Sequence, residues 1–275
     1  MLRSLDIVRS VGLAFVEDGG RAGGLRWAVP RGGALDPEAL AAANAVVGNA
    51  PGAAALERYG AIELRAGADL VIADESGTVT ALEAGASARF AWDGERRARY
   101  LAIDGGIVVP AFLGGAGTIV GLGRGGHEGR ALRAGDRLVL GVPSDRGERR
   151  ALPPMSSTFP VVPGPDLDRL GADALDVLLA TSWKLDVRSD RTGTRLVGPA
   201  LPHAPGARAV TTPMVEGAIE CPPGSAPIVL GPEHPTTGGY PVVAVLRAGA
   251  LAAFHRVPLG REVRFVVTRG DGRDH

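Results

Sequence analysis

Short apolar runs separated by Gly- and Pro-containing turns dominate this chain. The runs at 69–73, 100–103, 137–140, 228–230, 242–246 and 263–267 have strand lengths, and turn signals at that spacing predict a barrel or a sandwich. A turn-then-strand unit recurs: Leu64-Arg65-Ala66-Gly67 and Leu132-Arg133-Ala134-Gly135 each precede such a run, as does Val257-Pro258-Leu259-Gly260. Two stretches carry helical periodicity instead. Asp36-Pro37-Glu38 offers an N-cap, a proline at the first helical position and an acid in the first turn. Leu40, Ala43, Asn44 and Val47 then share a face, and Gly48 stops the helix. A second helix is predicted over 172–181, with Leu175, Leu178 and Leu179 as its stripe.

Residues 141–160 are rich in Pro, Ser, Asp, Arg and Gly, the composition of an exposed connection. The pattern therefore predicts an N-terminal β domain over 1–150 and a C-terminal β domain over 158–270. A chain of 275 residues is long enough for two such cores.

Composition narrows the partners. Thirty basic and thirty acidic residues cancel, so no broad field exists to hold nucleic acid or an anionic membrane. Arg3, Asp6 and Arg9 interrupt any apolar leader, and no stretch approaches the roughly 20 apolar residues a membrane helix requires. The single cysteine, Cys221, suits a reducing compartment, so a cytoplasmic protein is expected. Lys184 is the sole lysine and follows no glycine-rich turn, which argues against a P-loop and against a biotin attachment site on this chain. The five histidines are scattered without HExxH or paired Cys/His spacing, so no metal ligands are assigned. Gly121-Leu122-Gly123-Arg124-Gly125-Gly126 has the glycines of a nucleotide loop, but no helical pattern follows it.

Four segments hold more polar chemistry than a scaffold needs. In Glu17-Asp18-Gly19-Gly20-Arg21, with 29–36 after it, Arg21 can pair with Asp18 in a hairpin or with a bound carboxylate. Asn44, with Asn49 just past the helix, is either buried and bonded to backbone or turned toward a cleft. Ser189-Asp190-Arg191-Thr192-Gly193 reads as a turn in which Arg191 can meet an anionic ligand or an acidic partner. Glu220 stands ahead of Glu233-His234-Pro235-Thr236-Thr237-Gly238-Gly239-Tyr240-Pro241, where hydroxyls adjoin glycine amides. That arrangement suits a carboxylate or phosphate, or else a tight turn bonded to itself.

Taken in order, Val16-Glu17-Asp18-Gly19-Gly20-Arg21, 29–36, Ala43-Asn44 through Val47-Gly48-Asn49, Ser189 to Gly193 and Thr236 to Pro241 resemble the allophanate hydrolase subunit 2 family, also called KipA-like or biotin-dependent carboxyltransferase-like. The likeness extends from about Asp6 to Val267. Glu17, Glu220 and Pro235 stand where the family usually has Gln, and Thr192 and Thr194 where it often has Met and Tyr.

The resemblance implies a mainly β fold of two cyclophilin-like β-barrel domains with a few short helices. It implies a subunit of an ATP-dependent 5-oxoprolinase complex, in which phosphorylating the lactam carbonyl oxygen lets water open the ring to glutamate. The alternatives are a carboxyltransferase component of a biotin-dependent urea- or amide-carboxylase system and a non-catalytic, kinase-regulating partner of a KipI-like protein. The implied partners are a subunit-1/KipI-like protein and a LamB/YcsF-type subunit. ATP would be held by the complex, with Mg as its candidate companion, and biotin would enter only under the carboxyltransferase reading, carried on another chain. The implied catalytic set is Asp18, Arg21, Asp36, Asp190 and Arg191. The implied substrate-binding set is Asn44, Glu220, His234, Thr236, Thr237, Gly238 and Tyr240.

Overall fold

The computed structural model describes residues 3–145, 147–206 and 210–268. Arg146 of the expected connection, the last two positions of the expected second domain and His275 lie outside the described residues. The chain forms two compact units, Met1–Gly24 with Arg31–Pro154, and Leu25–Pro30 with Met155–His275. The changeover at Pro154 falls within the Pro- and Ser-rich connection. The excursion of 25–30 into the second unit has no counterpart in the sequence pattern.

The first unit contains two five-stranded antiparallel sheets. One runs in the order Ser87–Phe90, Ile62–Ala66, Ser4–Ser10, Arg137–Leu140 and Ile107–Val108. The other runs Ala14–Glu17, Ala55–Arg58, Arg99–Ile103, Leu70–Asp74 and Val79–Leu82. Alternate residues of both sheets meet in a shared core, with Leu5, Ile7, Leu64 and Leu138 against Val16, Leu56, Ile72 and Leu101. The opposite face of the second sheet is also covered. There Ala55, Ala73, Tyr100 and Ala102 pack on Leu40, Ala43 and Val47 of helix α1 (Pro37–Val46) and its C-cap. Burial on both faces explains why 55–58 and 99–103 lack apolar–polar alternation, and the alanines let the helix approach closely. Helix α1 starts as the sequence predicts, the Asp36 side chain accepting from Ala39 N at 3.0 Å, and Gly48 follows its end at φ 73°.

The second unit closes a seven-stranded barrel in the order Thr158–Pro163, Val242–Leu246, Ala218–Glu220, Ile228–Leu230, Gly193–Val197, Trp183–Leu185 and Glu262–Val267. The last strand pairs parallel with the first, which removes both sheet edges. Inside lie Phe159, Trp183, Leu196, Ile219, Val229, Val243 and Phe265. Leu178 of α2 (Ala174–Ala180) and Phe254 of α3 (Ala248–Arg256) join that core, and the Phe254 ring meets Phe159 edge-on at 5.3 Å. No local sequence signal marks the helix at 248–256. Arg247 provides no side-chain cap and Gly249 weakens the first turn, so only burial of Ala250 and Phe254 against the barrel marks that element. On the barrel's outer surface Met214, Ala218, Leu230 and Val242 form a smaller cluster beside the short pair Thr212–Pro213 and Thr237–Gly238. Among the described residues no helix is long and apolar enough to cross a membrane.

Candidate functional site

In the first unit the two glycine-bearing blocks zip together. Ala34 N donates to Asp18 O at 2.8 Å, and Arg21 N donates to Arg31 O at 2.9 Å. A Cβ at Gly33 would fall 2.4 Å from Gly20 N, so only glycine fits. The Asp18 carboxylate accepts from Gly20 N at 2.8 Å and from Ala116 N at 2.5 Å. Arg21, only 2% exposed, donates from Nε to Phe112 O at 2.8 Å and from Nη2 to Gly115 O and Gly117 O. Its guanidinium lies 5.7 Å from the Phe112 ring centre. A planar fork of donors suits a ring of carbonyls, and Arg21 thus braces the 112–117 loop.

Asp36 is tied to a second buried centre. Asp36 N donates to the Tyr100 hydroxyl at 2.8 Å, which donates to Glu57 Oε2 at 2.6 Å. Leu35 N reaches the same Glu57 oxygen at 2.7 Å, and Tyr59 donates to Glu57 Oε1 at 2.5 Å. Burial, then the charge of Glu57, pushes the Tyr100 phenol well above its ordinary range. Asn44 donates to Ala53 O at 2.8 Å and accepts from Asn49 Nδ2 at 3.0 Å. Asn49 in turn donates to Ile103 O at 2.8 Å, so the two amides clamp two turns. Of the two readings of Asn44, the buried, backbone-bonded one describes this geometry.

In the second unit the 189–193 turn meets the 231–234 turn. Gly231 N donates to Thr192 O at 2.9 Å, Glu233 N donates to Arg191 O at 3.1 Å, and Arg191 Nε donates to Glu233 Oε1 at 2.5 Å. The Asp190 carboxylate accepts from Thr192 N at 2.8 Å and Gly193 N at 3.2 Å, closing an Asx turn. His234 is buried with Nδ1 at 2.7 Å from Pro235 O. Thr237 and Gly238 pair with Pro213 and Thr212, Thr237 is exposed, and Tyr240 is 47% exposed. Glu220 sits half-buried on the barrel's outer face, where burial pushes its carboxyl above the ordinary range and Arg195 partly offsets the rise.

The structure therefore joins Asp18 to Arg21 through shared loops, Asp36 to Glu57 through Tyr100, and Arg191 to His234 through adjoining turns. Glu57 and Glu233 are the organising carboxylates; Glu233 belongs to the fourth polar segment but is given no role there, and Glu57 stands outside all four segments. Glu57 lies fully buried in the strand Ala55–Arg58, covered on both faces, and a buried acid must be met by hydrogen bonds. Among the described residues no group of three or more His, Cys, Asp or Glu forms a metal-binding cluster.

Comparisons with known proteins follow the same lines. Residues 27–267 match the family described as carboxyltransferase domain, subdomain A and B. The chain is 31% identical to a 5-oxoprolinase subunit of Escherichia coli (strain K12), over 95% of this chain and 90% of that protein. It is 28% identical to the corresponding 5-oxoprolinase subunit of Haemophilus influenzae over the same shares. Among solved structures, the urea carboxylase of Kluyveromyces lactis is similar with a TM-score of 0.88 and 26% identity, over 97% of this chain but 27% of that one. The resemblance read from five short blocks thus extends to nearly the whole chain, and the chain belongs to the carboxyltransferase domain family, subdomains A and B.

Proposed function

We propose that this chain is a subunit of an ATP-dependent 5-oxoprolinase, opening 5-oxoproline to glutamate together with a subunit-1/KipI-like protein and a LamB/YcsF-type subunit. The observation that carries this reading is the likeness to the Escherichia coli 5-oxoprolinase subunit, at 31% identity over 90% of that relative's length. Ring opening breaks the amide C–N bond, places a water oxygen on the carbonyl carbon and leaves a proton on nitrogen. The geometry supports a division of labour among the residues. Thr237 and Tyr240, exposed on the second unit, with Thr236 and Gly238 beside them, contact the polar substrate. Arg191, held by Glu233, and the Asp190 turn orient that surface. Glu220 and His234 border it. In the first unit Asp18, Arg21, Asp36 and Asn44 act by fixing loops rather than by touching substrate.

The glycine-rich segment at 121–126 does not form a nucleotide loop. The Gly121–Gly126 segment opens no helix, and the amides of Gly126 and Gly129 already donate to Ala116 O and Gly125 O at 2.7 and 2.8 Å. We leave the nucleotide and a companion Mg to the complex, without a glycine-rich loop of this chain to hold them. A second reading, carboxyl transfer from a biotin carried on another chain, draws support from the fold likeness to urea carboxylase.

The deciding experiment co-expresses the chain with both partner types and measures ATP-dependent glutamate release from 5-oxoproline. Release that depends on this chain is expected. Undiminished release when the chain is omitted would overturn the reading, and urea- or amide-dependent carboxyl transfer with a separate biotinylated carrier would favour the second.

A further inference from the structure

The second unit holds an ion pair that the assignments above leave unused. Asp166 precedes the short turn Leu167–Arg169, and Arg169 ends it. Arg169 Nη1 donates to Asp166 Oδ1 at 3.1 Å, and each side chain is 14% exposed. The turn itself is anchored. Leu170 is buried in the barrel core, Gly171 N donates to Pro202 O at 2.7 Å, and Ala204 N donates to Arg169 O at 3.1 Å.

From that anchor both side chains reach the glycine-bearing segment 236–241. Arg169 Nη2 donates to Gly239 O at 2.8 Å, and Asp166 Oδ2 accepts from Val242 N at 3.0 Å. Between these points Pro241 O accepts from Cys221 N at 2.9 Å. The backbone on both sides of the exposed Tyr240 is thus tied down.

The consequence falls on the peptide joining Gly239 to Tyr240. A trans peptide points its C=O and its N–H in opposite directions. With the Gly239 carbonyl held toward Arg169, the Tyr240 N–H faces away from the 166–170 turn. It meets no acceptor among the described residues. Pro241 also confines Tyr240 to extended backbone, so the direction of that N–H is preset. A donor fixed beforehand needs no rearrangement when it meets a negatively charged oxygen.

We infer that Asp166 and Arg169 are positioning residues that present the Tyr240 N–H to a carboxylate oxygen of the substrate. The inference rests on the 5-oxoprolinase reading above and deepens it, because 5-oxoproline carries one carboxylate. That group stays charged from binding through ring opening, so losing its donor raises KM and spares kcat.

The test uses the complex of the full chain with both partner types and reads KM and kcat for 5-oxoproline. Arg169→Met keeps the apolar stem but releases Gly239 O. It should raise KM about tenfold with kcat within about twofold, the effect of one hydrogen bond to a charged oxygen. Arg169→Lys, which can still donate to Gly239 O, should recover most of the KM. Should Arg169→Met fail to fold, Asp166→Asn keeps an acceptor for Val242 N and should raise KM roughly threefold. An unchanged KM in a folded variant, a loss carried by kcat, or no recovery by lysine would overturn the inference and leave the subunit reading standing. If the wild-type complex releases no glutamate, the reading falls, and hydrogen exchange at 237–242 then judges the clamp. Exchange slowed by 5-oxoproline in the wild type but not in Arg169→Met would uphold it. Any other pattern would overturn it as well.

Discussion

Asp18, Arg21, Asp36 and Asn44 in the first unit are each at most 7% exposed, and each side chain bonds at least one backbone group. In the second unit Asp190, Thr237 and Tyr240 stand exposed at turns of similar composition, and only Arg191 and His234 are drawn inward. The contrast shows that polar, glycine-rich stretches serve two ends. Where the surroundings are dry, an arginine or carboxylate must be met from all sides, and it becomes a brace. Where one side faces solvent, as at Thr237 and Tyr240, the side chain stays accessible.

The comparison breaks most visibly at Glu57. Glu57→Ala strands Tyr59, Tyr100 and Leu35 N around a buried void, and should lower unfolding stability by about 3–5 kcal/mol in a denaturant titration. A loss below about 1 kcal/mol would mean the first unit is not braced in this way. Arg21→Met comes next. It leaves the carbonyls of Phe112 and Gly117 without their donor and should cost roughly 2–4 kcal/mol, together with faster proteolysis of the 112–117 loop. In the second unit Thr237→Val should change stability by no more than about 0.5 kcal/mol. Under the subunit reading it should still raise the KM for 5-oxoproline roughly three- to tenfold in the assembled enzyme, the effect of one lost hydrogen bond. An unchanged KM would remove Thr237 from the substrate surface.

The smallest effect is a pH dependence. Arg130 beside Asp136 holds that carboxyl down at about 2 in the folded chain, below its ordinary range. The folded state therefore favours the charged form. This stabilisation is fully present above the ordinary carboxylate range and is lost as pH falls through about 2. Melting temperatures measured from about pH 5 to about pH 2 should drop, and Asp136→Asn should flatten part of that drop. Identical slopes would show that the pair contributes nothing.

Several elements were legible before any coordinates. The cap at Asp36, the stop at Gly48 and the strands Arg137–Leu140, Ile228–Leu230 and Val242–Leu246 follow from local rules that need no distant partner. Helix Ala248–Arg256 was not legible, because its stability comes from Phe254 entering a barrel built by residues far away in the chain. The same holds for the candidate site. Asp18, Arg21 and Asn44 could be picked out as unusual, but whether they face a ligand or a carbonyl depends on the 112–117 loop and the turn at 50–53.

What the sequence by itself determined is the mainly β pattern, the family, and the inventory of polar residues, since alternation, turn chemistry and motif order are properties of neighbours along the chain. The tertiary structure alone decided which of those residues are braces and which are open. It also revealed the Glu57 hub. Burial and hydrogen-bond completion are set by contacts between residues tens of positions apart, and no local pattern encodes them.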